Sequence, residues 1–274
     1  VVVLGYATQK KELVTGSVES IKFKEADTEI PTTMAGNLLA GKAAGLTVST
    51  PNGLPGQSAP GITIRTPNSF NAQPVLYVID GKIMGSGDFN NLSPNDIDNI
   101  SILKDASAAA VYGSRAAGGV IVVTTKRGKK GTASIQYSFN TGEDYRTKNM
   151  ALTNGVQMMN LYNQISNGGG GALGNAFSAA DIANIQSINN GYGYNQLQTV
   201  YRNPSTTTHN LSVSGGTEKI QYFIGGSYVK DKGFLNNLEY DKYNFRSNIT
   251  AQVAKDLTFF GGVTLNNNIT SSTT

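Results

Sequence analysis

The sequence predicts a small domain of mixed strands and short helices, followed by an antiparallel β-sheet. Up to about residue 131, short apolar strands alternate with helix signals, as in small α/β or α+β domains. From residue 132 onward, segments of about ten residues alternate apolar and polar side chains and are separated by turns. Charged residues make up 15% of the chain and Gly accounts for 32 of its 274 residues, which favours strands and turns over long helices.

Composition excludes several classes of site. The chain has no cysteine, so disulfides, thiolate metal sites and a thiol nucleophile are excluded. His209 is the single histidine, and we expect an ordinary strand residue there rather than a metal ligand or a catalytic base. The net charge of +4 comes without a long basic run, which argues against nucleic-acid binding. No cofactor and no metal are expected.

The first region is justified element by element. Pro31 precedes a predicted helix over Thr32–Gly45, in which Met34, Leu38 and Leu39 share one face. Asp80-Gly81 is predicted to close a buried strand with a turn, and Asp105 to cap a short Ala-rich helix that ends at Gly113. Strands are predicted at residues 46–50, 62–65, 75–79 and 118–126.

Two segments imitate ligand sites. Residues 36–42 (GNLLAGK) match the spacing of a phosphate-binding loop, but Ala43 follows, so no hydroxyl is available for magnesium. The acidic stretch 88–99 has Ser93 and Asn99 where a calcium-binding EF-hand loop needs Gly and Glu. We expect an ordinary helix in the first segment, and turn and helix-entry roles for the acidic residues of the second.

The second region is predicted to contain five strands, at 134–140, 208–214, 220–230, 243–253 and 257–266, with a long polar insert at 143–206. Short turns alternate with long connections, as in outer-membrane barrels, although a soluble sandwich or meander fits the pattern equally well. Five strands cannot close a bacterial barrel, so on the barrel interpretation the chain is a fragment. The polar series that should face inward includes Gln136, Asn244 and Arg246. The apolar series that should face outward contains Ile135, Tyr137, Phe139, Phe245, Ile249, Phe259 and Val263.

Several separated motifs, in order, resemble one family. They are VVVLGYATQKK at the start, AGNLLAGKAAGLTVST at 35–50, LYVIDG at 76–81 and LSPNDIDNISILKDASAAAVYGSRAAGGVIVVTTKRGKKG at 92–131. HNLSVSGGTEKIQYFIGGSYVKDKG and YDKYNFRSNI follow in the second region. Together they resemble the TonB-dependent outer-membrane receptors of the SusC/RagA type. Thr66-Pro67 stands where that family usually has Gly, and Trp is absent, so Tyr and Phe would form the aromatic girdle here.

The resemblance implies an α+β plug domain inside a 22-stranded transmembrane β-barrel, of which this chain is a fragment. Residues 1–12 would be a linker next to the TonB box, 13–131 the plug, and 132–274 the first five barrel strands, with 143–206 extracellular. The implied function is import of an oligosaccharide, or of a peptide, across the bacterial outer membrane, with a periplasmic N-terminus and no enzyme activity. Implied partners are TonB with its ExbB/ExbD energy supply, a SusD-like surface lipoprotein and outer-membrane lipid. The alternatives are a non-transporting adhesin or structural barrel and, less favoured, a soluble glycan-active enzyme.

Three groups of candidate residues follow. Val1, Val2 and Val3 are β-rich and would pair with TonB by strand addition; the alternatives are a buried plug strand or a linker. Arg65, Asp80, Lys104, Asp105 and Arg115 are candidates for ion pairs that seat the plug, since an unpaired buried charge is costly. Polar plug loops that would face the substrate contain Asn52, Gln57, Ser58, Asn68, Ser69, Asn71 and Gln73, whose amides and hydroxyls suit sugar hydroxyls or peptide backbone; plain solvated loops are the alternative.

Overall fold

A computed structural model describes residues 2–4, 7–9, 18–23, 31–50, 52–57, 59–64, 73–105, 109–145, 147, 153–168, 176–192 and 200–272. The chain divides into two units, one of residues 1–143, 204–233 and 237–274, the other of residues 144–203 and 234–236. Across the described residues, no helix is both long enough and apolar enough to cross a membrane.

The N-terminal part of the first unit is built on a mixed five-stranded sheet. Its strands are β3 (Val18–Lys22), β6 (Leu76–Ile79), β7 (Lys82–Met84), β8 (Ile97–Leu103) and β9 (Val120–Thr125), in the order β3-β8-β9-β6-β7. β6 and β9 are parallel, and the other neighbours are antiparallel. Two antiparallel pairs stand outside this sheet, β1 (Val2–Leu4) with β2 (Ala7–Gln9) and β4 (Leu46–Ser49) with β5 (Gly61–Ile64). The helix α1 (Ser86–Asn91) and 3-10 helices at Ala35–Leu39, Pro94–Asp96 and Ala110–Ala116 connect the strands.

β6 and the first four residues of β9 are apolar throughout because both faces of this sheet are covered. On one face, Tyr77, Ile79 and Ile121 pack in a core with Leu39 and Phe89. On the other face, the alternate residues of the same strands form a second core with Leu103, Ala109 and Ala116. A strand buried on both sides lacks the polar alternation of a half-exposed strand. This explains the continuous apolar runs that the sequence shows at these strands.

The Asp80-Gly81 turn is confirmed, and it fixes the direction of the Asp80 side chain. Ile79 pairs with Lys82 across this two-residue hairpin loop, whose residues both have positive φ, 48° at Asp80 and 84° at Gly81. Asp-Gly suits such a loop because both residues tolerate the left-handed conformation. The carboxylate accepts hydrogen bonds from the backbone N–H of Thr125 (3.0 Å) and from its hydroxyl (2.7 Å).

The helix predicted over Thr32–Gly45 is wrong in extent and type. The structure has a 3-10 helix at Ala35–Leu39, and Ala40 already leaves the helical conformation with ψ 122°. The short helix predicted after Asp105 is seen only in part, because residues 106–108 lie outside the described residues. A 3-10 helix spans Ala110–Ala116, and it is interrupted at Gly113, whose φ of 66° and ψ of −155° are non-helical, so the predicted helix stop at Gly113 is confirmed and a second short helical piece follows.

The second part of the first unit is a five-stranded antiparallel sheet in sequential order. Short turns of residues 217–219 and 255–256 alternate with the long connections 144–204 and 233–238, which confirms the predicted alternation. The two outer strands are each paired on one side only by the described strands. Its strands are β10 (Gly131–Glu143), β11 (Ser205–Gly216), β12 (Ile220–Lys232), β13 (Glu239–Ala254) and β14 (Leu257–Ser271).

Side chains alternate across the inner strands of this sheet as predicted, whereas most residues of the outer strands β10 and β14 are exposed on both faces, including Gln136, which was expected to face inward. All seven residues expected to face outward are exposed, from 42% at Phe245 to 73% at Ile135. Asn244 and Arg246, expected to face inward, are buried against the mixed sheet and its loops. One transverse row of the outward face consists of ring side chains on four neighbouring strands. Its members, paired in register, are Phe139, His209, Tyr228 and Tyr243.

The second unit contains two helices that the sequence analysis did not predict, α2 (Gly155–Gly168) and α3 (Ala179–Ser187). Ser178 caps α3 by accepting a hydrogen bond from the backbone N–H of Asp181. The Asn163 side chain exchanges two hydrogen bonds with the backbone of Phe177, at 2.8 and 2.9 Å. The segment 234–236 belongs to this unit through a bridge between Tyr201 and Leu235.

Candidate functional site: the inner face of β13

One strand, β13, fastens five separate segments of the mixed domain to the antiparallel sheet. Its alternate residues from Tyr240 to Asn248 are buried on the inner face. Their contacts run in order along the strand, from the end with the long connections to the end with the short turns. The side chains that make them are Tyr240, Lys242, Arg246 and Asn248.

Arg246 forms an ion pair with Asp80. Its Nη2 lies 3.3 Å from Oδ2 of Asp80, and the two side chains are 7% and 9% exposed. The pair is monodentate, since the Nε and Nη1 atoms of Arg246 have no hydrogen-bond partner within the part of the chain that the structure describes. Because Thr125 also binds Asp80, the carboxylate joins the β6–β7 turn, β9 and β13.

Asn248 continues the fastening towards the short turns. Its Nδ2 donates to Oγ1 of Thr125 (3.1 Å) and to the backbone carbonyl of Lys126 (3.0 Å). Thr125 therefore contacts both Asp80 and Asn248. The end of β9 is therefore held by Asp80 of the β6–β7 turn and by Asn248 of the antiparallel sheet.

Lys242 is the most deeply buried charge on the strand, at 1% exposure. Its Nζ donates to the backbone carbonyls of Thr33 and Asn90, each at 2.9 Å. On the neighbouring strand, Nδ2 of Asn268 donates to Oδ1 of Asn91 (2.9 Å). The C-terminal end of α1 is thus held by side chains of both β13 and β14.

Tyr240 supports a polar loop of the mixed domain. Its ring is buried at 3% exposure and lies so close to Gly56 that a Cβ atom there would come within 2.4 Å of Cδ2. Gly56 has φ +71°, which residues with a Cβ rarely adopt. The loop around residues 52–57 is therefore fixed at the end of the sheet where the long connections lie.

A cavity of about 280 Å³ lies between the Pro94–Ile97 segment and strands β10–β12. Asp96, Lys126, Gln136 and Asn210 contribute polar groups to its lining. Burial raises the pKa of Asp96 to about 6, and the positive charges of Arg246 and Lys126 offset part of that increase. The carboxyl of Asp96 is therefore a second acidic group that attracts Arg246.

The other residues predicted to seat the domain behave differently from Asp80. Lys104 binds Glu19 and the backbone carbonyl of Ala44, so its contacts stay within the mixed domain. Asp105 is half-buried and Arg115 is exposed. Arg65 lies outside the described residues.

The predicted substrate-facing and TonB-coupling residues are described in part. Asn52, Gln57 and Gln73 are exposed, whereas Ser58, Asn68, Ser69 and Asn71 lie outside the described residues. Val1 also lies outside them, while Val2 and Val3 belong to β1. Among the described strands β1 pairs only with β2, which leaves its other edge without a described partner strand.

The acidic residues of the 88–99 stretch lie in helices and a strand. Asp88 accepts a hydrogen bond from the backbone N–H of Gly85 (2.9 Å) at the start of α1. Of the two residues expected in turn and helix-entry roles, Asp96 lies in the 3-10 helix Pro94–Asp96, whereas Asp98 is exposed within β8. Within the described ranges, no three His, Cys, Asp or Glu side chains are grouped as metal ligands would be.

Sequence reasoning placed Arg246 and Asn248 in the inward polar series of this strand but missed Lys242 as a contact of the mixed domain. Lys242 belongs to the same alternating series, so the period of two was the available signal. The strand was predicted to begin at residue 243, which excluded Lys242. The structure starts it at Glu239.

Comparison with protein families gives a match over residues 10–120 to the TonB-dependent receptor plug domain. TonB-dependent receptor P26 of Formosa agariphila is 34% identical over 260 residues, 94% of this chain and 25% of the relative. TonB-dependent receptor SusC of Bacteroides thetaiotaomicron is 34% identical over 264 residues, 93% of this chain and 25% of the relative. The chain thus spans about a quarter of the length of these curated relatives. They are receptors, in agreement with the expectation that the chain is not an enzyme.

Solved structures share the fold. The RagAB peptide importer in its open-open state superposes with a TM-score of 0.82 at 24% identity, over 100% of this chain and 33% of that one. The siderophore receptor PirA of Acinetobacter baumannii has a TM-score of 0.56 at 17% identity, over 92% of this chain and 32% of that one. The mixed domain is therefore a plug domain, and the antiparallel sheet is a set of barrel strands. By sequence and by fold, the chain belongs with the SusC/RagA-type TonB-dependent receptors, of which it carries the plug and five barrel strands.

Proposed function

We propose that the chain is the plug and first five barrel strands of an outer-membrane importer driven by TonB. Its substrate is an oligosaccharide, with a peptide as the alternative. Residues 13–131 are the plug, 132–274 hold the barrel strands, and 143–206 form an extracellular insert. The plug closes the barrel until TonB, energised by ExbB/ExbD, pulls on the periplasmic N-terminus, while a SusD-like lipoprotein delivers the ligand at the outer surface.

The observation that carries this proposal is the fastening of the plug to β13. Apart from the ring of Tyr240, which packs against Gly56, these contacts are a small number of hydrogen bonds and one monodentate ion pair made by polar side chains of the strand. An apolar interface of the same extent would resemble a domain core and would resist separation. Polar contacts can be exchanged for water when the plug moves, which is what a gate requires.

Two further features support the proposal. The polar loop of residues 52–57 lies at the long-connection end of the sheet, where a ligand arriving from outside would meet Asn52 and Gln57. Near the N-terminus, β1 pairs with β2 and with no other described strand, and strand addition at its other edge would transmit force through backbone hydrogen bonds.

The test compares uptake with binding in the full-length receptor. Deleting Val1–Val3 together with the adjoining TonB-box residues is expected to abolish uptake of labelled ligand by cells, while the purified receptor binds it as before. Val2→Pro should be severe because it removes a backbone donor, and Val2→Ala should be mild because it keeps the donor. Normal uptake by the deletion variant contradicts TonB coupling through this segment. Loss of binding as well as uptake would make Val1–Val3 a structural part of the plug.

A further inference from the structure

Lys242 differs from the other fastening residues of β13 because it contacts two plug segments that are far apart in sequence. Its ammonium group donates to Thr33, which precedes the 3-10 helix at Ala35–Leu39, and to Asn90 in α1. The same two segments also contact each other, since Oδ1 of Asn90 accepts a hydrogen bond from the backbone N–H of Gly36 (3.3 Å). One buried cation therefore stands at the junction of residues 31–39 and 86–91.

The charge of Lys242 is held by carbonyl dipoles. No described carboxylate lies within ion-pair distance of its Nζ atom. Hydrogen bonds from a charged donor are stronger than those between neutral groups, but taking an ammonium group out of water is costly. The arrangement is therefore favourable only while both carbonyls remain in place, because losing either one leaves the buried charge under-solvated.

We infer that Lys242 is a latch that holds plug residues 31–39 and 86–91 to the barrel wall as a pair, so that both segments release together. This inference rests on the proposed function, because it assumes a plug that moves. When one segment leaves, water reaches the ammonium group and replaces the remaining carbonyl. The released state is then stabilised by hydration of the lysine, whereas an apolar side chain would gain nothing from that exposure.

The experiment measures how often each segment opens in the purified full-length receptor. This chain has no cysteine, so a single thiol can report local opening in a receptor without other cysteines. Ala35→Cys reports on the first segment and Ser93→Cys, two residues beyond the second, reports on the second, because both native side chains are small and buried. Ser93→Cys also replaces the hydroxyl that donates to Asn210 of β11, so its labelling rates are compared only among receptors that carry this change. Ala109→Cys, in the second core of the plug, reports on opening elsewhere. The rate of reaction with a maleimide is measured for each reporter.

Lys242→Met keeps the length of the side chain and removes the charge, and Lys242→Arg keeps a cationic donor. We expect Lys242→Met to raise the labelling rate at both positions 35 and 93 by at least about tenfold and to leave the rate at position 109 unchanged. The tenfold figure follows from the usual strength of hydrogen bonds to charged groups. Lys242→Arg should remain near the wild-type rates. Lys230→Met, on a half-buried lysine of the neighbouring strand that is paired with Glu239, is the matched control and should change none of the three.

A rise at only one of positions 35 and 93 overturns the paired latch. Equal effects of Lys242→Met and Lys242→Arg, or a parallel rise in the labelling rate at position 109, would mean that Lys242 contributes only packing. Either result would also overturn the paired latch. Unchanged rates in every variant have the same consequence. Uptake of ligand by cells with the wild-type receptor is measured separately. Absence of uptake would contradict the proposed function, whereas the labelling rates would still test whether Lys242 holds the two segments together.

Discussion

Breaking the Arg246–Asp80 pair should loosen the plug by an amount that the geometry limits. Removing one partner of a buried ion pair usually costs about 3–5 kcal/mol. Two features place this pair at the low end: it is monodentate, and Asp80 keeps both hydrogen bonds from Thr125. We therefore expect Arg246→Met to lower the free energy of plug opening by about 3 kcal/mol, and Asp80→Asn by about 2 kcal/mol.

The double variant Asp80→Asn/Arg246→Met should cost less than the sum of the single changes, by about 1–2 kcal/mol, because the first change has already removed the interaction. Asparagine suits the comparison because it tolerates the positive φ of position 80 and can still accept from Thr125. The assay is native-state hydrogen exchange of the amides in Val120–Thr125, in the full-length receptor in detergent micelles. About 3 kcal/mol corresponds to exchange more than a hundredfold faster.

Two results would refute this reasoning. Additive single effects, within about 0.5 kcal/mol, would mean that the two side chains do not stabilise the plug through each other. Exchange in β9 that is unaffected by Arg246→Met would mean that the plug is held without this pair. Lys230→Met serves as control, since it removes a cation that is paired with Glu239 on the opposite face of the sheet.

Three further predictions concern the plug and the outer face. Because burial raises the pKa of Asp96 from 3.8 to about 6, plug stability should fall as pH rises through that interval; Asp96→Asn should add up to about 3 kcal/mol at pH 7.5 and nothing at pH 4, measured by chemical denaturation. Ile249→Arg, about midway between Tyr243 and the short turn, should cost the barrel about 2–4 kcal/mol and Tyr243→Arg, nearer the headgroups, about 0–1 kcal/mol, measured by heat-dependent gel mobility; equal costs would contradict a lipid-facing surface. Gly56→Ala should cost at least about 1–2 kcal/mol from its left-handed backbone alone and open the 52–57 loop to protease, whereas Gly53→Ala, which has open space, should not.

The barrel strands were well predicted because their signal is local. Each strand pairs one exposed and one buried face, so the period of two is visible within ten residues, and the turn chemistry marks the ends. All five strands were found, although each is longer in the structure than predicted; β14, for example, runs to Ser271 instead of residue 266. The added residues lie at strand ends, where Gly and polar residues interrupt most of the alternation.

The fastening contacts were harder to predict because they join residues more than 100 positions apart. Asp80 was a candidate for an ion pair, but its partner is 166 positions away, and sequence spacing carries no information at that range. Lys242 bonds to backbone carbonyls, which every residue has, so no sequence pattern marks its partners. The helix predicted over Thr32–Gly45 failed for a related reason. Packing of Ala35 and Leu39 into the plug core, rather than helix propensity, decides the conformation there.

The transverse row of ring side chains fixes how deep the protein sits, if the outward face meets lipid as proposed. From Tyr243 in that row to Val253 at the short turn, β13 runs about ten residues, at roughly 3.3 Å each and a strand tilt of about 40°. The vertical distance is then ~25 Å, the height of the apolar band on outer-membrane barrels. Beyond the row the outward side chains become charged, as in the Lys230–Glu239 pair. The ring row and the short turns therefore mark the two membrane–water interfaces. A change that shifts the register of one strand by two residues would move that strand by about 5 Å along the bilayer normal.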